Sequence, residues 1–90
     1  MRVAREMIIT GSVQGVGFRW IAKRIADSIG LDGWVRNNPD GSVGLAIEGG
    51  ETDLNSFMDR LNQDLGVYIA EVESRDAEPD GNRNGFAILR

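Results

Sequence analysis

Apolar residues along this chain recur with two different periods, and the switches between them mark its elements. From Phe18 to Ile29 they fall at Ile21, Ala22, Ile25, Ala26 and Ile29, with Lys23, Arg24 and Asp27 facing away. Spacings of three and four predict an amphipathic helix. Gly30 follows directly and suits the residue that stops a helix. A second stripe of Leu54, Phe57, Met58, Leu61 and Leu65 predicts another helix, with Thr52 placed to cap its start. Elsewhere the period is two. Val43, Leu45 and Ile47 alternate with smaller or polar residues, as in a half-buried strand that Gly49-Gly50 breaks. Residues 4–11, Leu31 to Asn38, Ile69 to Ser74 and Phe86 to Leu89 also read as strands. Asn38-Pro39-Asp40-Gly41 is a turn with suitable chemistry at each position. Glu78 to Gly85 reads as a polar, mobile loop.

The resulting order, β-α-β-β-α-β with a short terminal strand, is the α+β ferredoxin-like sandwich, with two helices on one face of an antiparallel sheet. A fold of this kind hosts unrelated functions and does not decide between them. Ninety residues predict one domain over 1–90.

Composition narrows the chemistry. The chain has no His and no Cys, which excludes phosphohistidine and phosphocysteine intermediates and zinc sites built on those ligands. Its carboxylates form no ligand pattern: Glu71 and Glu73 read as the solvent face of a strand, and Asp76, Glu78 and Asp80 as a polar loop. No metal and no cofactor are expected. No apolar run approaches the roughly 18 residues needed to span a bilayer, and no signal peptide follows Arg2 and Arg5. Cytoplasm is the expected compartment, and no membrane partner is expected. The net charge of −4 is unevenly spread. Residues 1–36 carry six basic and three acidic groups, and residues 37–90 carry four basic and eleven acidic. An acidic chain of this kind argues against a nucleic-acid partner.

The basic part contains Gly11-Ser12-Val13-Gln14-Gly15-Val16-Gly17-Phe18-Arg19, between a strand and a helix start. Glycines permit positive φ, so successive N–H groups can converge on one concavity. The helix start adds unpaired N–H groups and partial positive charge. Arg19 supplies a permanently charged planar fork suited to phosphate. The segment lacks the Gly-Lys-Ser/Thr of a P-loop and the G-x-G-x-x-G of a dinucleotide site.

Gly11-x-Val13-Gln14-Gly15-Val16-x-Phe18-Arg19, then Gly33-Trp34-Val35-x-Asn37, then Asp40-Gly41-x-Val43, resembles the acylphosphatase family over nearly the whole chain. The Phe86-x-Ile88 ending agrees. The resemblance implies hydrolysis of acyl phosphates to carboxylate and inorganic phosphate, without metal or cofactor. It implies that Arg19 grips the phosphoryl oxygens, assisted by loop N–H groups of Gln14, Gly15, Val16, Gly17 and Phe18. Asn37 would hold the attacking water. Inorganic phosphate or sulfate would inhibit, and a monomer is expected. The chain departs from many relatives at Ala22, where they carry a hydroxyl residue, at Gly66-Val67, where they carry Gly-Pro, and at Asn38, where some carry Thr.

Two other readings stay open. Domains of this type also begin large hydrogenase-maturation proteins that handle carbamoyl phosphate, although an end at Arg90 favours a free-standing enzyme. A non-catalytic binding module, including RNA-recognition types, is the other, but Gly15-Val16-Gly17-Phe18 falls in a loop. Single residues have plainer readings too. Asn37 could merely begin a turn, Gln14 could only shape the loop, and Lys23 could be solvated or attract phosphate. Arg36 reads as a solvated strand residue, and Trp20 and Trp34 as packing residues.

Overall fold

The computed structural model describes residues 1–81 and 84–90. Strand β1 (Arg2–Gly11) leads through the glycine-rich loop to helix α1 (Phe18–Ile29). Strands β2 (Asp32–Asn37) and β3 (Val43–Gly50) form a hairpin, followed by helix α2 (Glu51–Leu65), a single 3-10 turn at Gly66–Tyr68, and strands β4 (Ile69–Ala77) and β5 (Phe86–Ile88). The sheet runs β4-β1-β3-β2-β5. Both helices pack on one face of it, as the ferredoxin-like order requires.

The core lies between those layers. Helix α1 contributes Phe18, Ala22, Ile25 and Ala26, α2 contributes Leu54, Phe57, Leu61 and Leu65, and the sheet contributes Met7, Ile9, Val35, Leu45 and Ile47. Met58 packs partly buried at its edge. Each fully buried large side chain is worth about 1.5–3 kcal/mol, so these stripes outweigh any terminal cap worth about 1 kcal/mol. That balance explains a correction at α2. Thr52 does not cap the helix. Gly50 occupies the cap position with no side-chain hydrogen bond, and Glu51 and Asp53 in the first turn complement the helix dipole instead. The 3-10 turn was not expected from sequence.

The sheet is mixed rather than antiparallel. β1 pairs antiparallel with β3 and β4, and β2 with β3, but β5 lies parallel to β2. The pairing directions explain this. β4 runs like β3 and therefore ends where β2 begins. A chain crossing there adds beside β2 in the same direction. The crossing is fastened by carboxylates: Glu48 accepts the N–H groups of Asp80 (2.7 Å) and Gly81 (2.9 Å), and Asp32 accepts that of Gly85 (2.8 Å). Arg2 bridges both acids, at 2.7 Å to Asp32 and 3.0 Å to Glu48. Of the loop expected to be mobile, Asn82 and Arg83 lie outside the described residues.

β3 is also more buried than a half-buried strand. Every residue from Val43 to Gly49 is buried. On the face away from the helices, Gly44 and Ala46 lie low between longer neighbours. A Cβ at Gly44 would meet the Asn38 and Trp34 side chains at 3.4 Å and Arg36 at 3.6 Å.

Candidate active site

The glycine-rich loop joins the sheet to the start of α1. Gly15 and Gly17 take φ of 80° and 78°, and a Cβ at either would meet nothing within 4 Å. These glycines are therefore required by backbone conformation and not by crowding. Gly17 is the N-cap of α1 and has no side chain to occupy the helix end. No acceptor among the described residues takes the N–H groups of Gly15, Val16, Gly17, Phe18 or Arg19. Five consecutive donors at a helix start form a concavity suited to an anion.

Asn37 reaches the same place from the far end of β2. A pocket of about 100 Å³ is lined by Val13, Gly15, Gly17, Phe18, Arg19, Trp20 and Asn37. Arg19 is half-buried and forms no ion pair among the described residues. Asn37 Oδ1 is buried without a hydrogen-bond partner among them. A buried carbonyl oxygen left unpaired costs about 1–3 kcal/mol, so its survival here points to use by something entering the pocket.

The hairpin turn after Asn37 is heavily cross-linked. Asn38 N–H donates to Ser42 O (2.9 Å), and Asn38 Nδ2 donates to Ser42 Oγ (3.0 Å). Ser42 Oγ and N–H both donate to Asp40 Oδ1, at 2.6 and 3.0 Å. The Ser42 hydroxyl and then its N–H hold the Asp40 carboxyl below its usual range. Gln14 ties this turn to the loop. Its Nε2 donates to Asn38 O and Ser42 O, each at 2.9 Å. The Gln14 side chain therefore faces the hairpin and is not in the pocket lining, and neither is Val16, which packs partly buried against the core.

Other side chains fall elsewhere. Lys23 Nζ donates to Phe86 O (2.9 Å) and pairs with Asp27 (3.0 Å), so it anchors β5 rather than attracting phosphate. Arg36 is exposed, with its guanidinium 5.1 Å from the Trp34 ring centroid. Both lie by a groove of about 490 Å³ on the open sheet face, together with Glu6, Ile8, Glu73 and Arg75. That groove is larger than the Arg19–Asn37 pocket, but a salt bridge between Arg75 and Glu6 occupies its wall and neither the loop nor Asn37 reaches it.

Trp20 corrects the sequence reading. It is 74% exposed and lines the Arg19–Asn37 pocket, so it is not a packing residue. The signal was present in the helical stripe. At 100° per residue, Trp20 sits roughly 200° from Ala22, on the side away from the core.

A loop of convergent donors, an unpaired arginine and an unpartnered amide oxygen meet in one pocket suited to a small anion, on the ferredoxin-like sandwich of an α+β domain. Known proteins make the assignment specific. The family model for acylphosphatase matches residues 5–88. An acylphosphatase of a Nocardioides species is 45% identical over 86 residues, covering 96% of this chain and 84% of its own. The crystal structure of acylphosphatase from Bacillus subtilis has a TM-score of 0.88 at 29% identity, covering 98% of this chain and 99% of its own. Full-length HypF, in its phosphate- and nucleotide-bound form, matches all of this chain at a TM-score of 0.86 and 30% identity over 12% of its own length. The chain belongs to the acylphosphatase family and is an enzyme of that family. No helix among its described residues is long and apolar enough to cross a membrane.

Proposed function

We propose that this enzyme hydrolyses the carboxyl–phosphate bond of small acyl phosphates, using the pocket between the glycine-rich loop and Asn37, with no metal and no cofactor. The observation that carries this reading is the meeting of Arg19, free loop donors and the unpartnered Asn37 oxygen in one phosphate-sized space. Phosphoryl transfer needs positioning and charge stabilisation more than covalent chemistry. Arg19 and the N–H groups from Gln14 to Phe18 hold the non-bridging phosphoryl oxygens as charge develops on them. Asn37 Oδ1 accepts a hydrogen bond from the attacking water and aims its oxygen at phosphorus. The new P–O bond forms as the bond to the acyl oxygen breaks, and the carboxylate leaves with the electron pair. The water proton passes to a phosphate oxygen of the substrate. No His, Cys, Asp or Glu is among the described residues lining the pocket, which supports a mechanism without a protein carboxylate or imidazole as metal ligand or general base. A carboxylate is a good enough leaving group to need no protein acid.

Carbamoyl phosphate contains the same bond, and the likeness to part of HypF makes it one substrate to include. The test incubates the purified enzyme with acetyl phosphate and carbamoyl phosphate in excess chelator. Equal release of phosphate and the acyl product, competitively inhibited by inorganic phosphate, supports the reading. No release, or activity restored only by a divalent ion, overturns it.

A further inference from the structure

Nine of the ten basic residues are arginine, and Lys23 is the only lysine. With no Cys and no His in the chain, its amine is the one strongly nucleophilic side-chain group. This amine belongs to the helical turn that follows Arg19. Residues at i and i+4 of a helix are neighbours, about 5–6 Å apart between Cβ atoms, and each Cα–Cβ bond tilts toward the helix start. The Lys23 stem therefore begins beside Arg19. Its Nζ is turned the other way, donating to Phe86 O (2.9 Å) and pairing with Asp27 (3.0 Å). The grip is loose. The Lys23 side chain is 37% exposed and that of Asp27 50%, and an exposed i,i+4 pair is worth little in water. Rotation about the side-chain bonds swings the amine from Asp27 to the turn that carries Arg19.

We propose that Lys23 is an acylation site, modified by acyl phosphate held at the neighbouring pocket, and that the modification loosens strand β5. This assignment rests on the acyl phosphate reading above and gives the same substrate a second fate. Hydrolysis there breaks the bond at phosphorus, but an acyl phosphate is also an electrophile at carbon. The neutral amine of Lys23 attacks the carbonyl carbon and a C–N bond forms. The C–O bond to phosphate breaks, its electron pair stays on the phosphate oxygen, and the nitrogen releases a proton to solvent. The products are an acylated lysine and inorganic phosphate, with no oxidation and no further reactant. The consequence follows from what Lys23 holds. An amide offers no charge to Asp27 and one N–H in place of three. β5 is three residues long and lies at the sheet edge beside β2, so the hydrogen bond from Lys23 to Phe86 O is a fastening between it and α1. β2 in turn ends at Asn37.

The experiment incubates the Asn37→Ala enzyme, in which slow hydrolysis preserves the substrate, with acetyl phosphate and maps acetyl groups by peptide mass spectrometry. Wild-type enzyme, with acetyl phosphate held constant by continuous addition, is the second arm. The α-amine of Met1 is the internal control. It lies at the far end of β1, about 30 Å from the loop. At neutral pH an ordinary α-amine is more often deprotonated than a lysine, so undirected acylation favours Met1. The expected result is acetylation of Lys23 in both arms, cut about tenfold by inorganic phosphate at about ten times its inhibition constant, with Met1 unaffected. Acetylated wild-type enzyme should melt roughly 4–8 °C lower. Lys23→Arg keeps a charge for Asp27 but has no amine to acylate, and should show no such shift. An unlabelled Lys23, or labelling of Lys23 that phosphate does not reduce, would overturn the acylation site while leaving hydrolysis in place. Lys23-acetylated enzyme that melts like the unmodified one would overturn the link to β5. Wild-type enzyme that hydrolyses no acetyl phosphate would overturn the reading beneath both.

Discussion

Gln14 Nε2 donates to the carbonyl oxygen of Asn38 at 2.9 Å, and this one amide joins the loop that carries the donors to the turn behind Asn37. The same nitrogen also reaches Ser42 O, so both of its hydrogens are used. The relative position of loop and strand end is thus set by a side chain that does not enter the pocket. Gln14→Ala should lower stability by about 1–2 kcal/mol and weaken phosphate inhibition several-fold. Gln14→Glu should do more damage, because a carboxylate offers no donor to two carbonyl oxygens. Thermal midpoints and phosphate inhibition constants for the two variants check this. A Gln14→Glu enzyme as stable as Gln14→Ala would contradict the geometry.

In the proposed mechanism Arg19 serves binding and chemistry together. There its planar fork would meet phosphoryl oxygens in the ground state and the charge that develops on them later. Arg19→Gln should abolish measurable phosphate inhibition and reduce kcat/KM by about a thousandfold, the scale of losing one preorganised donor group. Arg19→Lys keeps the charge but not the fork, and should recover only part of the loss. Steady-state kinetics with phosphate as competitor decides the matter. Wild-type phosphate inhibition in Arg19→Gln would remove Arg19 from the site.

Some of this was legible in the chain and some was not, for physical reasons. The buried stripe of α1, the stop at Gly30 and the positive φ of the loop glycines follow from local periodicity and backbone freedom, which a sequence displays directly. The pairing of Arg19 with Asn37 was reached through a family resemblance, since nothing local tells a strand end 18 residues away that it faces a loop. The fastening of the last crossover was invisible for the same reason. Glu48 and Gly81 are separated by 33 residues, and Glu48 on its own looks like the polar partner in an alternating strand. The burial of β3 likewise depends on Trp34 and Arg36 leaning over Gly44, a property of two strands rather than one. Trp20 was misread because tryptophan is usually buried, although its angle around α1 already placed it outside.

Glu48 gives the fold a definite pH dependence. Burial pushes its carboxyl up, but the N–H groups of Gly81 and Asp80, together with Arg2, outweigh this and hold it below the usual carboxylate range. A group whose pKa is lowered by folding contributes stability above its unfolded value, about 4.3, and loses that contribution as pH falls through the folded value. Glu48→Gln should therefore lower the thermal midpoint at pH 7 by roughly 4–8 °C. The gap between variant and wild type should close as pH drops below about 4. Melting curves from pH 3 to 7 test the sign. A gap that widens on acidification would show that Glu48 folds protonated.

The role proposed for Asn37 would separate positioning of water from binding of phosphate. Its Oδ1 is buried without a partner among the described residues, so the folded chain carries an acceptor that helps nothing in the fold itself. Removing it should cost little stability, and the lost unpaired oxygen offsets part of the small cavity left behind. In the proposed mechanism the phosphate donors belong to the loop and Arg19, so Asn37→Ala should bind inorganic phosphate within about twofold of wild type, an effect too small to signal a lost charged contact. Its kcat should fall by about a hundredfold or more, the scale of misplacing a reacting group. Asn37→Asp should separate the two roles further, because a carboxylate can still accept from water but repels the phosphate beside it, raising the inhibition constant. Thermal midpoints for both variants exclude a folding defect. If Asn37→Ala melts normally and keeps wild-type kcat, then Asn37 only leads into the turn at Asn38-Pro39, and water must be oriented by the phosphate and the loop alone.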